Sequence, residues 1–132
     1  MRLIILGATT LGTMTAANLI EQAHDVVIIE QDQPLIEEAS AHLDCAFIKG
    51  DGSKPDIVKE AKPEETDIFY GITNHDQTNI IACLVAKSLG VKRVVTLIED
   101  PEFLPICNEL NLIDTIIPVG TLSRQLAALA AK

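Results

Sequence analysis

The fold of this chain is decided near its N-terminus, where Leu3-Ile4-Ile5-Leu6 runs directly into Gly7-Ala8-Thr9-Thr10-Leu11-Gly12. Four consecutive apolar residues are typical of a parallel strand that is buried on both faces. After the glycines, apolar residues recur every three positions, as expected for a helix that packs on a sheet: Leu11, Met14, Ala17 and Ile20. The stretch therefore predicts a strand, a tight turn and a helix in immediate succession.

The same alternation of short apolar runs and longer helical segments continues along the chain. Five more runs of mainly β-branched or aromatic residues are spaced for strands: Val26–Ile29, Cys45–Ile48, Ile68–Tyr70, Val94–Ile98 and Ile113–Ile117. Because each connection holds one helical segment, the strands should be parallel. We therefore predict an α/β, Rossmann-like, doubly wound sheet of six parallel strands in the order 3-2-1-4-5-6.

Polar residues and glycine predict where several helices begin and end. Asn74 with Gln77 resembles a capping box that opens a long helix, and Gly90 is well placed to end it. Asp100-Pro101 is a typical helix start, with the acid as the cap and proline at the first helical position.

A final helix is predicted over residues 119–132, with Thr121 as its cap. Its apolar side carries Leu122, Leu126 and Leu129 at helical spacing. Three interpretations of this stripe stay open: it folds back on its own sheet, it meets another subunit, or it meets a downstream domain that is not in this sequence.

Length and charge exclude several classes of protein. The 132 residues fit one domain, 1–132, without a separate substrate domain. Ten Lys and Arg against 19 Asp and Glu give a net charge of −9, which repels a phosphate backbone, so we expect no nucleic-acid partner. The sequence shows neither a membrane-spanning apolar stretch nor a signal-peptide pattern. We therefore expect a soluble, cytoplasmic protein that does not insert into a membrane.

Residue types for catalysis or metal binding do not come together in the sequence. The three cysteines and three histidines are scattered, without the close spacing of a zinc site. No lysine follows the glycines as in a phosphate-binding P-loop, and Tyr70, the only tyrosine, has no lysine three or four residues on. We expect no catalytic site and no metal site, and interpret the chain as a binding module rather than an enzyme.

The glycine-rich turn is the first candidate ligand site. In the dinucleotide-binding fingerprint, the first glycine makes the turn, the second admits the pyrophosphate and the third lets the helix contact the strand. Gly7 and Gly12 hold the first and third places, and Thr9 holds the second. The amides of Thr10, Leu11 and Gly12 lie at the helix N-terminus, where the dipole favours an anion. The turn predicts a phosphate site or, alternatively, a purely structural corner.

Glu30 ends the second strand, with Gln31 beside it, at the place where such folds put an acid on the ribose hydroxyls. A carboxylate there accepts hydrogen bonds from a 2′,3′-diol and repels a 2′-phosphate, which disfavours NADP. The alternative is an ordinary strand-end carboxylate in water.

Two further loops follow strands at the carboxyl edge of the sheet, where open α/β sheets bind ligands. Asp51, Gly52 and Ser53 follow the third strand, and Thr73 and Asn74 follow the fourth. We predict that both loops line an adenine nucleotide. The alternatives are a simple turn at Asp51-Gly52 and a helix cap at Asn74.

Taken together, these motifs resemble a known family. The glycine turn and Glu30 are followed by Gly50-Asp51-Gly52-Ser53 and by Thr73-Asn74-His75-Asp76-Gln77-Thr78-Asn79-Ile80 at the start of a long helix. The set is similar to the RCK, KTN or TrkA-N domain of regulators of potassium channels and transporters, especially of Trk-type uptake systems. The resemblance covers nearly the whole chain, and the pattern T-N-x-D-x-x-N is its more specific part.

The resemblance implies a function and partners. Domains of this family bind NAD(H), ATP or ADP and assemble as homodimers or larger rings at the inner, cytoplasmic face of the cell membrane. There they gate K⁺ flux through a membrane-embedded transporter or channel subunit. The resemblance also implies that the helix over 119–132 takes part in the dimer contact.

Some residues depart from the family pattern. Thr9 replaces the second glycine, and Leu97 and Glu99 stand where many members carry basic residues. The family's C-terminal lobe is not in this sequence, which predicts a piece of a longer protein or a single-domain form. Two alternatives stay open: a fragment of an NAD-dependent oxidoreductase, since Gly-Ala-Thr also opens the loop of some reductases, and a nucleotide-free dimerisation module.

Overall fold

Strands and helices alternate along the chain in the computed structural model, which describes residues 1–131. Lys132, the last residue of the predicted domain and of the predicted final helix, lies outside the described residues. The strands are β1 (Arg2–Leu6), β2 (Asp25–Glu30), β3 (Ala46–Lys49), β4 (Ile68–Gly71), β5 (Arg93–Leu97) and β6 (Thr115–Ile116). The helices are α1 (Thr10–Glu21), α2 (Gln33–Ser40), α3 (Pro55–Glu60), α4 (Asp76–Ser88), α5 (Leu104–Glu109) and α6 (Pro118–Ala130), with 3-10 turns at Pro63–Glu65 and Pro101–Phe103.

The strands form one parallel sheet in the order β3-β2-β1-β4-β5-β6, which confirms the predicted topology. Leu3 of β1 lies opposite Val26 of β2 and Ile68 of β4. The winding direction reverses between β1 and β4, so the carboxyl ends of these two strands flank the switch point. The predicted strand Ile113–Ile117 is too long. At this edge of the sheet, two described residues, Thr115–Ile116, pair with β5.

Two apolar layers cover the faces of the sheet. α1 and α2 pack on one face, over Ile5 and Ile28. α3, α4 and α5 pack on the other face, around Ile4, Ile29 and Phe69. Because the central strands are covered on both sides, they need apolar residues at every position, which explains the continuous apolar runs in the sequence.

The buried face of α1 differs from the predicted stripe. Leu11 and Met14 are 46% and 62% exposed, whereas Gly12 and Ala16 are buried. A Cβ atom on Gly12 would lie 1.9 Å from the carbonyl oxygen of Gly7. Since the helix approaches the turn too closely for a side chain, small residues make the contact at the start of α1, where Leu11 and Met14 face outward. Near the end of the helix, Leu19 and Ile20 are partly buried and pack on the sheet.

Prolines mark where most helices begin. All six prolines lie at one of the first two positions of a helix or 3-10 turn, where the amide has no intrahelical acceptor. α6 begins at Pro118, so the predicted cap at Thr121 is wrong. Thr121 lies inside the helix, and its hydroxyl donates to the carbonyl of Ile117. The Asp100 cap and the end of α4 at Gly90, with φ +105°, are confirmed.

α6 projects its apolar stripe into solvent. Leu122, Leu126 and Leu129 are 54%, 67% and 68% exposed, and every residue from 121 to 130 is exposed. The interpretation in which the stripe covers its own sheet is therefore wrong. Within the described part of the chain, every helix is too short or too polar to cross a membrane.

Candidate functional site

The glycine turn brings the N-terminus of α1 to the switch point. Gly7 has φ +107°, a conformation that favours glycine, and its amide donates to the Ile29 carbonyl of β2 at 2.9 Å. Thr9 is the helix cap, because its Oγ1 accepts from the Gly12 amide at 3.1 Å. The Gly12 amide, which we predicted to hold a phosphate, is therefore already used within the chain.

The amides of Thr10 and Leu11 are free. They are the first two of α1, they have no hydrogen-bond acceptor within residues 1–131, and both residues are exposed. Unpaired amides at a helix N-terminus carry partial positive charge and attract anions. Two of the three predicted phosphate donors are thus available.

Glu30 lies beside this turn at the end of β2. Its Oε1 accepts from the Ala8 amide at 2.7 Å, and its Oε2 accepts from the amides of Gln31 and Asp32 at 3.0 and 2.9 Å. The Glu30 carbonyl also accepts from the Gly50 amide after β3 at 3.1 Å. The structure places Glu30 at the predicted edge and gives its carboxylate three backbone partners.

The loop after β3 is a closed turn. Asp51 Oδ1 accepts from the amide and the hydroxyl of Ser53 at 2.9 and 2.7 Å, and these hydrogen bonds lower the pKa of Asp51. A Cβ atom on Gly52 would lie 2.3 Å from Cδ1 of Leu6, so the loop packs on the end of β1. The turn interpretation is confirmed, and the turn lies close to the glycine loop.

Asn79 organises the loop after β4. This fully buried side chain accepts from the amide and the hydroxyl of Thr73 at 2.9 and 2.6 Å. It donates to the carbonyls of Thr73 and Leu97 at 3.1 and 2.9 Å. Thr73 also contacts the glycine turn, since a Cβ on Gly7 would lie 3.3 Å from its Cγ2. Thr73 is therefore at the switch point, where its amide and hydroxyl donate to Asn79 and the hydroxyl also lies 3.2 Å from the His75 carbonyl oxygen.

Asp76 makes a second link between α4 and β5. Its two carboxylate oxygens accept from the amides of Glu99 and Asp100, each at 2.9 Å. Asn74 is exposed and α4 has no side-chain cap, so the predicted capping box is wrong. The sequence analysis assigned no role in the site to Asp76 or Asn79, although both belong to the T-N-x-D-x-x-N pattern. Their i, i+3 spacing, which places both on one face of α4, was the available signal.

A pocket of about 570 Å³ borders the glycine turn on the side of α1 and α2. Thr9, Thr10 and Asn74 line it together with side chains of the two helices, among them Met14, Leu35, Glu38 and His42. Glu30 and the loop after β3 do not line this pocket. The predicted site residues thus lie along the carboxyl edge of the sheet, and three of them, Thr9, Thr10 and Asn74, also line the pocket.

The ionisable side chains of residues 1–131 form no metal centre, and the thiols among them are not activated as nucleophiles. No group of three His, Cys, Asp or Glu there could hold a metal ion. Burial raises the pKa of the Cys45 and Cys83 thiols to about 11 and also raises that of Cys107. The three thiols are therefore protonated at neutral pH.

Comparison with known proteins identifies the family. Residues 3–118 match the TrkA-N domain. The Trk system potassium uptake protein TrkA homolog of Archaeoglobus fulgidus is 36% identical over 111 residues, which covers 83% of this chain and 25% of that protein. The chain therefore spans about a quarter of the length of this curated relative.

Solved structures share the fold at low identity. The GsuK channel bound to NAD has a TM-score of 0.77 at 11% identity, covering 87% of this chain and 21% of that chain. GsuK has also been solved bound to ADP. The Kef CTD of Shewanella denitrificans, in an AMP-bound form, has a TM-score of 0.78 at 13% identity, covering 100% of this chain and 83% of that chain.

The family match removes the oxidoreductase alternative. The chain belongs to the TrkA-N domain family and is a non-catalytic regulatory domain related to the Trk-system potassium uptake proteins.

Proposed function

We propose that this domain binds an adenine nucleotide, NAD(H), ATP or ADP, at the carboxyl edge of its sheet and passes the occupancy of that site to a potassium transport partner. The observation that carries the proposal is the pair of free amides of Thr10 and Leu11 at the switch point. The bound NAD and ADP of GsuK and the bound AMP of Kef support this ligand class.

The distribution of prolines supports an anion site there. Among the α-helices of residues 1–131, α1 and α4 begin without proline, and both begin at the switch point. A proline in the first turn removes one amide donor, so these two helices keep all of theirs. In α4 the first turn already contains the carboxylate of Asp76. A phosphate therefore fits best at α1.

The other edge residues would surround the rest of the nucleotide. Glu30 and Gln31 lie at the end of β2, on one side of the α1 N-terminus, with the turn from Asp51 to Ser53 next to them. Thr73 and Asn74 lie on the opposite side, after β4. In this arrangement Thr9 acts as the helix cap, and Gly7 and Gly12 let the turn close tightly.

The stripe on α6 supplies a route from ligand to partner. We propose that Leu122, Leu126 and Leu129 meet the same stripe region of a second copy in a homodimer or a larger ring. The assembly would lie at the cytoplasmic face of the membrane, beside a potassium transporter or channel subunit. A nucleotide that binds two subunit arrangements with different affinity shifts their populations, and a few kcal/mol of difference is sufficient.

A proline at position 10 tests the phosphate role of α1. Thr10→Pro removes one amide donor at a helix position that tolerates proline, whereas the matched control Thr10→Ala keeps the donor and removes the side chain. A hydrogen bond to a charged group contributes about 1.5–3 kcal/mol, so Thr10→Pro should weaken binding by roughly 10- to 150-fold in calorimetry. Thr10→Ala should change it by less than about threefold.

Thermal melts with ATP, ADP, NAD⁺ and NADH test the nucleotide itself. A ligand at 100 times its Kd adds about 2.7 kcal/mol of stability. A melting temperature that none of the four shifts would support the alternative of a nucleotide-free dimerisation module. Equal binding by Thr10→Pro and the wild-type chain would place the phosphate elsewhere.

A further inference from the structure

The carboxylate of Glu30 is largely occupied by the chain's own backbone. Oε1 accepts from the Ala8 amide, and Oε2 accepts from the amides of Gln31 and Asp32, at 2.7 to 3.0 Å. A carboxylate offers about four acceptor positions, and three are used here. A ribose diol donates two hydrogen bonds, so Glu30 cannot accept both while these contacts persist.

The contact with Ala8 fixes the middle of the glycine turn. Ala8 is buried, and without Glu30 its amide would have no partner within the described residues. Gly7 on one side is held by its bond to Ile29, and Thr9 on the other side is held as the cap of α1. Three consecutive residues are thus anchored, and the free amides of α1 follow directly.

We infer that Glu30 is a positioning residue for the glycine turn, which acts through Ala8 to hold the amides of Thr10 and Leu11 in place for a phosphate. The inference rests on the proposed function and deepens it. Because the ribose finds at most one acceptor on Glu30, the site selects the diphosphate and accepts 2′-deoxyribose about as well as ribose.

The test compares three probes on three proteins by calorimetry. The probes are ADP, 2′-deoxy-ADP and inorganic pyrophosphate. ADP is used because NAD(H) and ATP both contain it as a unit. The proteins are the wild-type chain, Glu30→Ala and Glu30→Gln. Glu30→Gln keeps an oxygen that can accept from the Ala8 amide, but its NH₂ group faces the amides of Gln31 and Asp32. This variant keeps the test decisive if Glu30→Ala fails to fold. Amide hydrogen exchange at Ala8 is measured on all three proteins without nucleotide.

We expect the wild-type chain to bind ADP and 2′-deoxy-ADP within about threefold of each other. Glu30→Ala should weaken all three probes by a similar factor, about tenfold, and should speed exchange at Ala8 by about tenfold. Glu30→Gln should lie between the two. A uniform loss that includes pyrophosphate, which has no ribose, separates the positioning role from a direct ribose contact, and Glu30→Gln separates it from a folding defect.

Other outcomes overturn specific claims. A wild-type preference of tenfold or more for ADP over 2′-deoxy-ADP, lost in Glu30→Ala while pyrophosphate binding is unchanged, would assign Glu30 to the ribose instead. Unchanged exchange at Ala8 in Glu30→Ala would overturn the positioning role regardless of ligand. Failure of the wild-type chain to bind any probe would overturn the proposed function, while the exchange result would still decide the role of Glu30.

Discussion

Replacing Asn79 should unlock the loop at the switch point. Asn79→Ala breaks four hydrogen bonds, two with donors of Thr73 and two with the carbonyls of Thr73 and Leu97. Thr73 is half-buried and can be hydrated, but the carbonyl of buried Leu97 loses its side-chain donor. An unsatisfied buried group costs about 1–3 kcal/mol and each lost bond somewhat less, so we expect a loss of about 3 kcal/mol in the free energy of unfolding.

Urea denaturation followed by circular dichroism measures this loss. The matched control is Asn74→Ala, five residues earlier in the same motif, which is exposed and should change stability by less than about 0.5 kcal/mol. A loss below about 1 kcal/mol for Asn79→Ala would refute the claim that this side chain holds the loop to β5.

An acidic variant at the same position adds a pH test. Asn79→Asp keeps the oxygen that accepts from Thr73. It replaces the NH₂ group, which donates to the carbonyls of Thr73 and Leu97, with a second oxygen. The buried charged form is disfavoured, so the folded pKa of the new carboxyl is raised and stability is lost as pH rises through it. The variant should therefore lie closer to the wild-type chain at pH 5 than at pH 8, and an equal gap at both would contradict the assignment.

Five further substitutions, one of them a matched control, test other parts of the fold. Gly12→Ala should unfold the domain or cost more than about 3 kcal/mol in urea denaturation, because its Cβ would lie 1.9 Å from a backbone carbonyl oxygen. Ala23→Gly, at φ +67°, should stabilise by about 0.5–1 kcal/mol, whereas Ala41→Gly, at φ −69°, should destabilise by a similar amount. Arg93 donates to Asp114 and lowers the pKa of this carboxyl. The stabilisation that the ion pair gives to the fold is therefore present above pH 3.8, the ordinary pKa, and is lost as the pH falls through the lowered pKa. The difference in melting temperature between the wild-type chain and Asp114→Asn should thus shrink between pH 6 and about pH 3. Leu126→Glu should leave the melting temperature of the monomer unchanged but abolish self-association in light scattering, and association that persists would place the interface elsewhere.

The sheet was predictable from sequence because its central strands are buried on both faces. Such strands need apolar residues at successive positions, and runs like Leu3 to Leu6 leave little choice of structure. The face of α1 was not predictable in the same way. Helical spacing shows that a stripe exists, but the buried residues of α1 are Gly12 and Ala16, whose small size gives them little weight in a pattern of large apolar residues.

The candidate site was predictable in place but not in hydrogen bonding. The strand order puts Glu30 and Thr73 at the carboxyl edge, as the sequence indicated. Which donors remain free depends on contacts between distant residues, such as Thr73 with Asn79 and Glu30 with Ala8. Sequence spacing cannot reveal these pairings, because each one depends on the final position of a loop.

The exposure of α6 has a consequence for its folding. A helix of 13 residues is near the length at which isolated peptides are only marginally helical in water, and from residue 121 onward this one gains almost no burial from its own chain. Its secondary structure should therefore depend on protein concentration. Far-UV circular dichroism of dilute samples should show fewer helical residues than that of concentrated samples. Folding of the C-terminal helix and association of two copies would then be one coupled equilibrium.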